Sequence, residues 1–493
     1  MDKKQTAAIL VVAIILIAAV VAIVATDGEK KESTATMELL DENFSPTLEV
    51  YGNVNEDLVI DEKDVTALEN ALKNGTASSL RLADANGDGE VDQNDVEYIK
   101  KIISATPENQ VVVKHINRYT KGDYWQESKY PINSMAISAS ANIIMMMKYA
   151  GINEQIKAVA YSGLIDSVMY DDYQYLFSDY GGKFDVKNTY KYRVGASAGY
   201  FSAELLTNHI NEDKITAVIT ADNASAYLSG ASSSHSYGIT EKTIIDDLGL
   251  SVIRIAAAST DPTVYLSDLA LLSFMTQSDS SKIANMTAWY QNTIKDLNTI
   301  LRNNVGYDTE QVNFAVSSST SYSKSSDGNI TTSNYISSGI SDYTAVAKAA
   351  GGNFALKDYD FGTSSSSKKM TDLGKWLVDY DIDKLIVIKT GSDFSWYGGT
   401  ALTNGLKTVQ SCALAFSDSE PFYNNEVYVL SGDMPILLRT VYAACILYPD
   451  LFTKEWADSY NVQHCTEFLN FDENIVRNGT YFVSMADMGL SGH

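Results

Sequence analysis

The sequence predicts an α/β protein of two lobes joined by a long connecting helix. A small α-helical EF-hand-type module and an N-terminal transmembrane helix precede the lobes. Three observations lead to this prediction. Short β-branched runs alternate with amphipathic stretches along most of the chain, which is typical of βαβ units. A twelve-residue loop rich in Asp and Asn begins at Asp84, and an uninterrupted apolar run begins at Ala7.

The apolar run is the first element of the chain. Ala7 to Ala25 are nineteen apolar or small residues that follow two lysines. As a helix they would span about 28 Å, close to the hydrocarbon thickness of a bilayer. A signal-peptide core is shorter, about 7–15 residues. We therefore predict an uncleaved single-pass anchor and polar tether in residues 1–47, with the bulk of the chain extracellular. Cleavage after Ala25 is the alternative.

The loop from Asp84 to Asp95 has the spacing of a Ca²⁺-binding loop. Oxygen-bearing side chains stand at positions 1, 3, 5, 9 and 12, and glycine stands at position 6. This spacing wraps six to eight oxygens around the ion. The predicted ligands are Asp84, Asn86, Asp88, the carbonyl of Glu90, Asp92 and Asp95. One helix is predicted after the loop, and no convincing helix is predicted before it.

One such unit cannot bury its apolar face alone, so a second copy is expected. The copy upstream supplies the predicted ligands Asn53, Asn55, Asp57, the carbonyl of Val59, Asp61 and Asp64. Asn53 removes a charge at position 1, and Leu58 replaces the glycine. We therefore expect weaker Ca²⁺ binding in this copy, or none. The two loop–helix units resemble the dockerin calcium repeat, and residues 48–106 are assigned to this module. It is either a purely structural calcium clip or a docking surface for a cohesin-like partner.

The rest of the chain is predicted to form two α/β halves. Strands are predicted at Val111–His115, Met135–Ser138, Ile215–Ile219, Ser251–Ala256, Val312–Ser317, Lys384–Ile388 and Glu426–Leu430. Helices are predicted at Ala139–Ala150, Ala203–His209, Thr240–Leu248 and Tyr343–Ala350. The serine-rich stretches Ser317–Ser341 and Ser364–Ser367 are predicted to be exposed loops.

Residues Thr263 to Asn303 contain no strong helix breaker and carry apolar residues at helical spacing. This pattern predicts one long helix between the halves. The predicted boundaries are residues 109–262 for the first lobe, 263–305 for the interlobe helix and 306–493 for the second lobe.

Several short stretches resemble a known family in their order along the chain. Leu447-Tyr448-Pro449-Asp450-Leu451-Phe452 resembles a terminal Y-P-D-L-F signature, and Glu241-Lys242 through Arg254 resembles an E-K-L…R segment. Ala349-Ala350-Gly351-Gly352-Asn353 resembles an A-G-G-x-N turn, with the asparagine one residue early. Together they resemble the periplasmic-type solute-binding proteins of the iron-siderophore, haem and cobalamin class. With a dockerin-like pair ahead of it, the chain resembles archaeal surface proteins of this type.

The resemblance implies a small-molecule ligand (an iron chelate, haem or corrinoid) and an ABC permease as partner. Family members present a glutamate on each lobe to the permease. Here the corresponding positions fall near Met145 and Ala345, and the nearest acid is Asp342. This departure puts permease docking in the family's manner in doubt.

The candidate ligand-binding residues are aromatic side chains that follow a strand or lead toward the cleft, because ligands bind at strand ends and flat ligands stack on aromatic rings. Trp396 and Tyr397 follow the strand that begins at Lys384, and Tyr170 and Tyr173 lie in an acidic segment of the first lobe. These four are candidates for stacking on the ligand, and packing between the lobes is their alternative role. The resemblance places Arg439 and Arg254 where they could meet an anionic ligand; an ordinary surface role is the alternative.

The sequence favours binding over catalysis. It contains no H-E-x-x-H or P-loop motif, and no catalytic residue is predicted. The net charge of −25 argues against nucleic acid as a partner. The three cysteines, all late in the chain, are expected to be buried thiols, with one disulfide as the alternative. The rival function is a calcium-dependent cell-surface adhesion or scaffold protein that acts through its dockerin-like module.

Overall fold

In the computed structural model, the described residues run from 37 to 489. The gaps between them are residues 121, 139–140, 153–154, 161–200, 223–240, 242, 325, 328–329, 363–366, 371–378, 390–423 and 433. The description below concerns these residues.

The calcium module consists of two loop–helix units. Helix α1 spans Glu62–Lys73 and helix α2 spans Gln93–Ile103. Each begins with a capping box, in which the aspartate at the N-cap and the aspartate at N3 satisfy each other's backbone N–H groups. The apolar faces of the two helices meet in a small core that contains Leu68 and Val96. The predicted pairing of the two units is thus present.

The first lobe is built on a parallel sheet of order β4-β3-β5-β6. A hairpin of β1 (Val111–Asn117) and β2 (Tyr124–Tyr130) precedes the sheet. The sheet strands are β3 (Met135–Ser138), β4 (Ile156–Ala160), β5 (Ala217–Ala221) and β6 (Ser251–Ile255). The helical elements are α3 (Ala141–Tyr149), α4 (Ala203–Asp213) and a π-helical turn at Thr243–Asp247.

Two helices, rather than one, connect the lobes. They are α5 (Pro262–Met275) and α6 (Ser281–Asn304). At the break, the Thr276 hydroxyl donates to the Leu272 carbonyl at 2.8 Å, and Gln277 adopts a left-handed φ of 53°. Polar side chains that bond to nearby backbone compete with helical hydrogen bonds. The predicted continuous helix is therefore interrupted by Thr276–Ser280.

The second lobe contains a mixed sheet of order β10-β8-β7-β11-β12-β13, with β9 paired to β7. Its strands are β7 (Asn313–Lys324), β8 (Ile330–Ser337), β9 (Asn353–Phe354), β10 (Ser367–Met370), β11 (Lys384–Lys389), β12 (Val427–Ser431) and β13 (Phe482–Ser484). Its helices are α7 (Asp342–Ala349), α8 (Ile436–Leu447), α9 (Lys454–Phe468) and α10 (Glu473–Arg477). Strands β7, β11 and β12 are parallel, as expected for an α/β lobe.

The serine-rich stretch predicted as an exposed loop is largely a β-hairpin. Strands β7 and β8 pair antiparallel from Ser317–Ile336 to Lys324–Ile330. Ser, Thr and Tyr carry little apolar signal, so the backbone ladder that orders this hairpin was not evident from hydrophobic patterning. The prediction of a loop over Ser317–Ser341 was therefore wrong.

Residues 37–50 form a packed segment, which we call the strap. It runs along the two connecting helices and contacts both lobes. Glu38 pairs with Lys348 of α7 at 3.2 Å, and the Phe44 carbonyl accepts the Gln291 side-chain amide of α6 at 3.1 Å. Phe44, Leu48 and Val50 are buried. The sequence predicted a polar tether up to residue 47. Residues 37–47 instead belong to the strap, which is packed on the body through buried apolar side chains.

No helix among the described residues is both long and apolar enough to cross a membrane. The most apolar helices, α5 and α8, have 14 and 12 residues, well short of the roughly 20 that a bilayer requires. Helix α6 has 24 residues but is amphipathic. The predicted single-pass localisation is therefore not supported and is corrected here. Ala7 to Ala25, on which that prediction was placed, lie outside the described residues.

Candidate functional site

Loop 84–95 is closed by hydrogen bonds between its side chains and its backbone. The buried carboxylate of Asp95 accepts the N–H of Asn86 at 3.1 Å and that of Asp92 at 2.8 Å. The Asn86 side-chain amide donates to Asp88 at 2.9 Å. Burial raises the pKa of the Asp95 carboxyl. These bonds hold most of the predicted ligands within one closed turn.

Loop 53–64 repeats these bonds at the same positions. The buried carboxylate of Asp64 accepts the N–H of Asn55 at 3.1 Å and that of Asp61 at 2.8 Å. The Asn55 side-chain amide donates to Asp57 at 2.8 Å. The two loops therefore share one internal frame, as the predicted sequence repeat requires.

Asp84 has a buried carboxylate oxygen that a bound cation would stabilise. Its Oδ2 accepts the N–H of Gly89 at 3.1 Å, while its Oδ1 is buried without a hydrogen-bond partner. A buried carboxylate oxygen without a donor or cation is costly. The oxygen set of this loop suits Ca²⁺, which prefers carboxylates, amides and backbone carbonyls. The residues of loop 84–95 therefore fit the ion.

Carboxylates alone do not complete this set. In the part of the chain that the structure describes, no three His, Cys, Asp or Glu side chains converge into a metal-binding group. Ca²⁺ coordination in loop 84–95 would thus need neutral oxygens as well. The predicted ones are the side-chain oxygen of Asn86 and the carbonyl of Glu90, which match positions 3 and 7.

A second polar cluster lies at the carboxyl end of strand β6 in the first lobe. Arg254 Nε donates to Glu241 Oε2 at 2.8 Å, and the two side chains are 0% and 4% exposed. The Tyr124 hydroxyl also donates to Glu241, and Asn117 Oδ1 accepts the N–H of Arg254 at 2.8 Å. Arg254, a sequence candidate for meeting an anion, therefore has its charge balanced within the protein.

Arg118 connects this edge of the first lobe to the calcium module. It pairs with buried Asp268 of α5 at 2.9 Å, with Asp123 at 3.0 Å and with Glu49 at 2.8 Å. Glu49 also pairs with Arg81 at 2.9 Å, three residues ahead of loop 84–95. Sequence reasoning missed this network. Its one signal was an aspartate within the apolar residues of α5, because an isolated buried acid requires a partner.

The predicted ligand-binding side chains fall mostly outside the described residues. These are Trp396, Tyr397, Tyr170 and Tyr173. Arg439 lies in α8 and is 2% exposed, and its Nε donates to the Met434 carbonyl at 2.8 Å. Its charge acts on the buried hydroxyls of Tyr265 and Tyr290, whose pKa values are raised chiefly by burial. Arg439 thus lies on a helix, α8, that packs against the connecting helix α6.

The positions that correspond to the family's permease-docking acids lie in one helix of each lobe. Met145 in α3 is buried. Ala345 and Asp342 lie in the first turns of α7 and are half-buried. Neither lobe therefore presents a carboxylate at the expected position. Cys445 and Cys465 are buried free thiols, in agreement with the sequence, and Cys412 lies outside the described residues.

Comparison with known families gives one match, and it falls on the two loop–helix units. The Dockerin type I domain family matches residues 51–104, in agreement with the predicted module. A comparison with curated proteins finds no match.

Solved structures resemble the two-lobed body. A TroA-like periplasmic binding protein, FepB, from Veillonella parvula shares 14% identity, with a TM-score of 0.52 over 75% of this chain and 99% of that chain. A periplasmic solute-binding protein from the same species shares 11% identity (TM-score 0.48, 74% and 97% covered). The periplasmic haem-binding protein HutB of Vibrio cholerae shares 11% identity (TM-score 0.39, 64% and 100% covered). The first of these comparisons shows that the chain has the mixed α/β fold of two-lobed periplasmic binding proteins.

Proposed function

We propose that this chain is a solute-binding protein that captures its ligand between the two lobes and delivers it to an ABC permease. The observation that carries the proposal is the pair of separate α/β sheets joined by α5 and α6. Ligands of such sheets bind at the carboxyl ends of the strands. We place the body of the chain outside the cytoplasm, as in the periplasmic protein whose fold it shares.

We further propose an iron chelate, haem or corrinoid as the ligand. The support is the sequence resemblance, together with Trp396, Tyr397, Tyr170 and Tyr173, whose rings would stack on a flat ligand. Arg439 would supply positive charge near the connecting helices. Because Met145 occupies the position of a docking acid, contact with the permease would use other carboxylates of this acidic chain.

Fluorescence and calorimetric titration with haemin, cobalamin and a ferric catecholate siderophore tests this function. We expect saturable binding of one of them, with tryptophan quenching that is reduced in Trp396→Phe. Trp456→Phe is the control, because Trp456 packs beside Phe452 with ring centroids 4.8 Å apart and would leave the quenching by ligand unchanged. Absence of heat and quenching with all three compounds would reject this ligand class.

The module supports a second candidate function. The family match at residues 51–104 and the fit of loop 84–95 to Ca²⁺ favour calcium-dependent binding of a cohesin-like partner. In that case the chain would act in adhesion or as a scaffold. Binding of the full chain to an immobilised cohesin domain, with Ca²⁺ and with chelator, tests it. Calcium-dependent capture that is lost in Asp84→Asn supports this function, and equal capture in both buffers contradicts it.

A further inference from the structure

We propose that loop 53–64 takes no Ca²⁺ and keeps its closed shape through an amide clasp, formed by Asn53. The two loops share their frame at positions 3, 5, 9 and 12, as described above. Among the side-chain ligand positions and the bend at position 6, they differ only at positions 1 and 6, which are Asn53 and Leu58 in one loop and Asp84 and Gly89 in the other.

The side chain at position 1 makes opposite bonds in the two loops. Asp84 accepts the N–H of Gly89 at 3.1 Å. Asn53 instead donates its Nδ2 hydrogens to the carbonyls of Leu48, at 2.7 Å, and Asp57, at 2.8 Å. The peptide unit between positions 5 and 6 thus presents its N–H to a carboxylate in one loop and its C=O to an amide in the other. An aspartate cannot make the second set of bonds, because it has no hydrogen to donate.

This reversal explains the residue at position 6. Gly89 has a φ of +88°, which favours glycine. Leu58 does not have a positive φ, whereas Glu56, Gly87 and Gly89 of the two loops do. Its half-buried side chain packs against the main core. Asn53 and Leu58 are therefore one coupled change: the amide reverses the peptide, and the reversed peptide accommodates a side chain.

Charge separates the two loops further. Asn53 Oδ1 and Asp84 Oδ1 are both buried without a hydrogen-bond partner. The first is a neutral amide oxygen, whose burial without a partner has a modest cost. The second belongs to a carboxylate, for which the cost is far higher. At the five side-chain ligand positions (1, 3, 5, 9 and 12), loop 53–64 has carboxylates at 5, 9 and 12, and loop 84–95 has them at 1, 5, 9 and 12. Since ligand charge sets Ca²⁺ affinity, only loop 84–95 requires the ion.

The clasp also joins loop 53–64 to the strap. The Asp57 carbonyl accepts the Leu48 N–H at 2.8 Å in addition to the Asn53 amide. Glu56, at position 4, pairs with Arg81 at 2.8 Å. Protein groups thus hold the loop from both sides, which is the task that a cation performs in a calcium loop.

Hydrogen exchange of the full chain, read by mass spectrometry, tests the inference. In Asp84→Asn, adding Ca²⁺ is expected to leave the exchange of residues 53–64 unchanged, and these residues stay protected in chelator. Calcium-dependent protection of 53–64 in this variant would overturn the inference. In the wild-type chain, calcium-dependent protection of residues 84–95 tests the Ca²⁺ assignment on which the proposed function rests. Loss of that protection would reject the assignment and not the inference about loop 53–64.

A gain-of-site experiment tests the coupling. Asn53→Asp with Leu58→Gly is expected to bind one additional Ca²⁺ by calorimetry and to show calcium-dependent protection at 53–64. Asn53→Asp alone is expected to lower the unfolding midpoint by a few degrees without adding a site, because its carboxylate would face the Asp57 carbonyl. Asn70→Asp adds the same charge at an exposed position of α1, outside the loop, and is the matched control. An additional Ca²⁺ in Asn53→Asp alone, without loss of stability, would refute the coupling.

Discussion

Buried charges of the first lobe are balanced by named partners rather than by solvent. The pair Arg254–Glu241 sits at the carboxyl end of β6 with almost no exposure. A buried pair of this kind adds little net stability, but leaving one partner alone is costly. The same holds for Arg118 and Asp268, whose bond joins the end of β1 to α5. At the residue scale, these pairs fix the geometry of the lobe edge where a ligand would arrive.

Glu241→Gln is therefore expected to lower the free energy of unfolding by about 3–5 kcal/mol, because it leaves the Arg254 guanidinium without its buried carboxylate. Adding Arg254→Met should recover most of the loss. Urea unfolding measures both. Lys100→Gln, which removes an exposed helix pair with Glu97, should leave the urea midpoint unchanged. A Glu241→Gln loss no larger than that of this control would show that Arg254 has enough other partners.

His115 makes stability depend on pH. It is fully buried, its Nδ1–H donates to the Ile116 carbonyl at 2.9 Å, and its Nε2 accepts the Ser128 hydroxyl at 2.8 Å. Burial lowers the pKa of His115 from 6.5 to about 4. Below pH 6.5 His115 is protonated in the unfolded chain but stays neutral in the folded chain. The contribution of His115 to the free energy of unfolding is therefore complete above pH 6.5 and is lost as the pH falls towards 4.

His115→Gln should reduce this loss by about 2 kcal/mol between pH 6.5 and pH 5. Urea midpoints of both proteins at the two pH values measure it. His464, whose pKa burial lowers to about 3, is present in both proteins and cancels in the comparison. Parallel pH profiles would mean that His115 takes up its proton in the folded state.

At the element scale, the sequence located the central strands well and the polar elements poorly. Strands of a parallel sheet are buried on both faces and read as apolar runs, so Met135–Ser138 and Lys384–Ile388 were placed to within one residue. The serine-rich hairpin, the break at Thr276 and the strap depend on backbone pairing and on distant partners, which leave no periodic signal. The two loops of the module were readable because metal ligation fixes residue types at fixed spacing, and loop 53–64 keeps most of that spacing.

Close packing around Gly352 joins α7, β7 and α8. A Cβ at this position would lie 2.6 Å from the Phe314 ring and 3.0 Å from Leu447. Gly352→Ala should therefore cost about 1–3 kcal/mol by overpacking. Gly339→Ala is the control, since its Cβ would meet Phe354 at an ordinary 3.6 Å. Thermal unfolding compares the two variants, and equal midpoints would indicate that the second lobe adjusts without cost.

At the scale of the whole molecule, one apolar core continues through the strap, α2 of the module and both lobes. Phe44, Ile102, Leu266 and Phe314 belong to the same cluster of buried residues. The side-chain bond from Tyr149 in α3 to His464 in α9, at 2.6 Å, adds a buried polar contact between the lobes. The module is therefore built into the body rather than linked to it by a flexible segment.

Ca²⁺ should accordingly stabilise the body and not the module alone. At 100 times its dissociation constant, one ion adds about 2.7 kcal/mol. In calorimetry, we expect Ca²⁺ to raise the midpoint of the main unfolding transition, and Asp84→Asn to abolish the shift. Two separate transitions, of which only the smaller responds to Ca²⁺, would contradict this integration.

The strap has a consequence for how the chain is made. Its residues are synthesised long before their partners. The Leu40 carbonyl accepts a hydrogen bond from Asn298, and Glu38 accepts one from Lys348, which lies 310 positions downstream. At roughly 5–20 residues per second, this interval is about 15–60 s. During translation, therefore, the apolar side chains of the strap stay without part of their native packing until more than 300 further residues have been added.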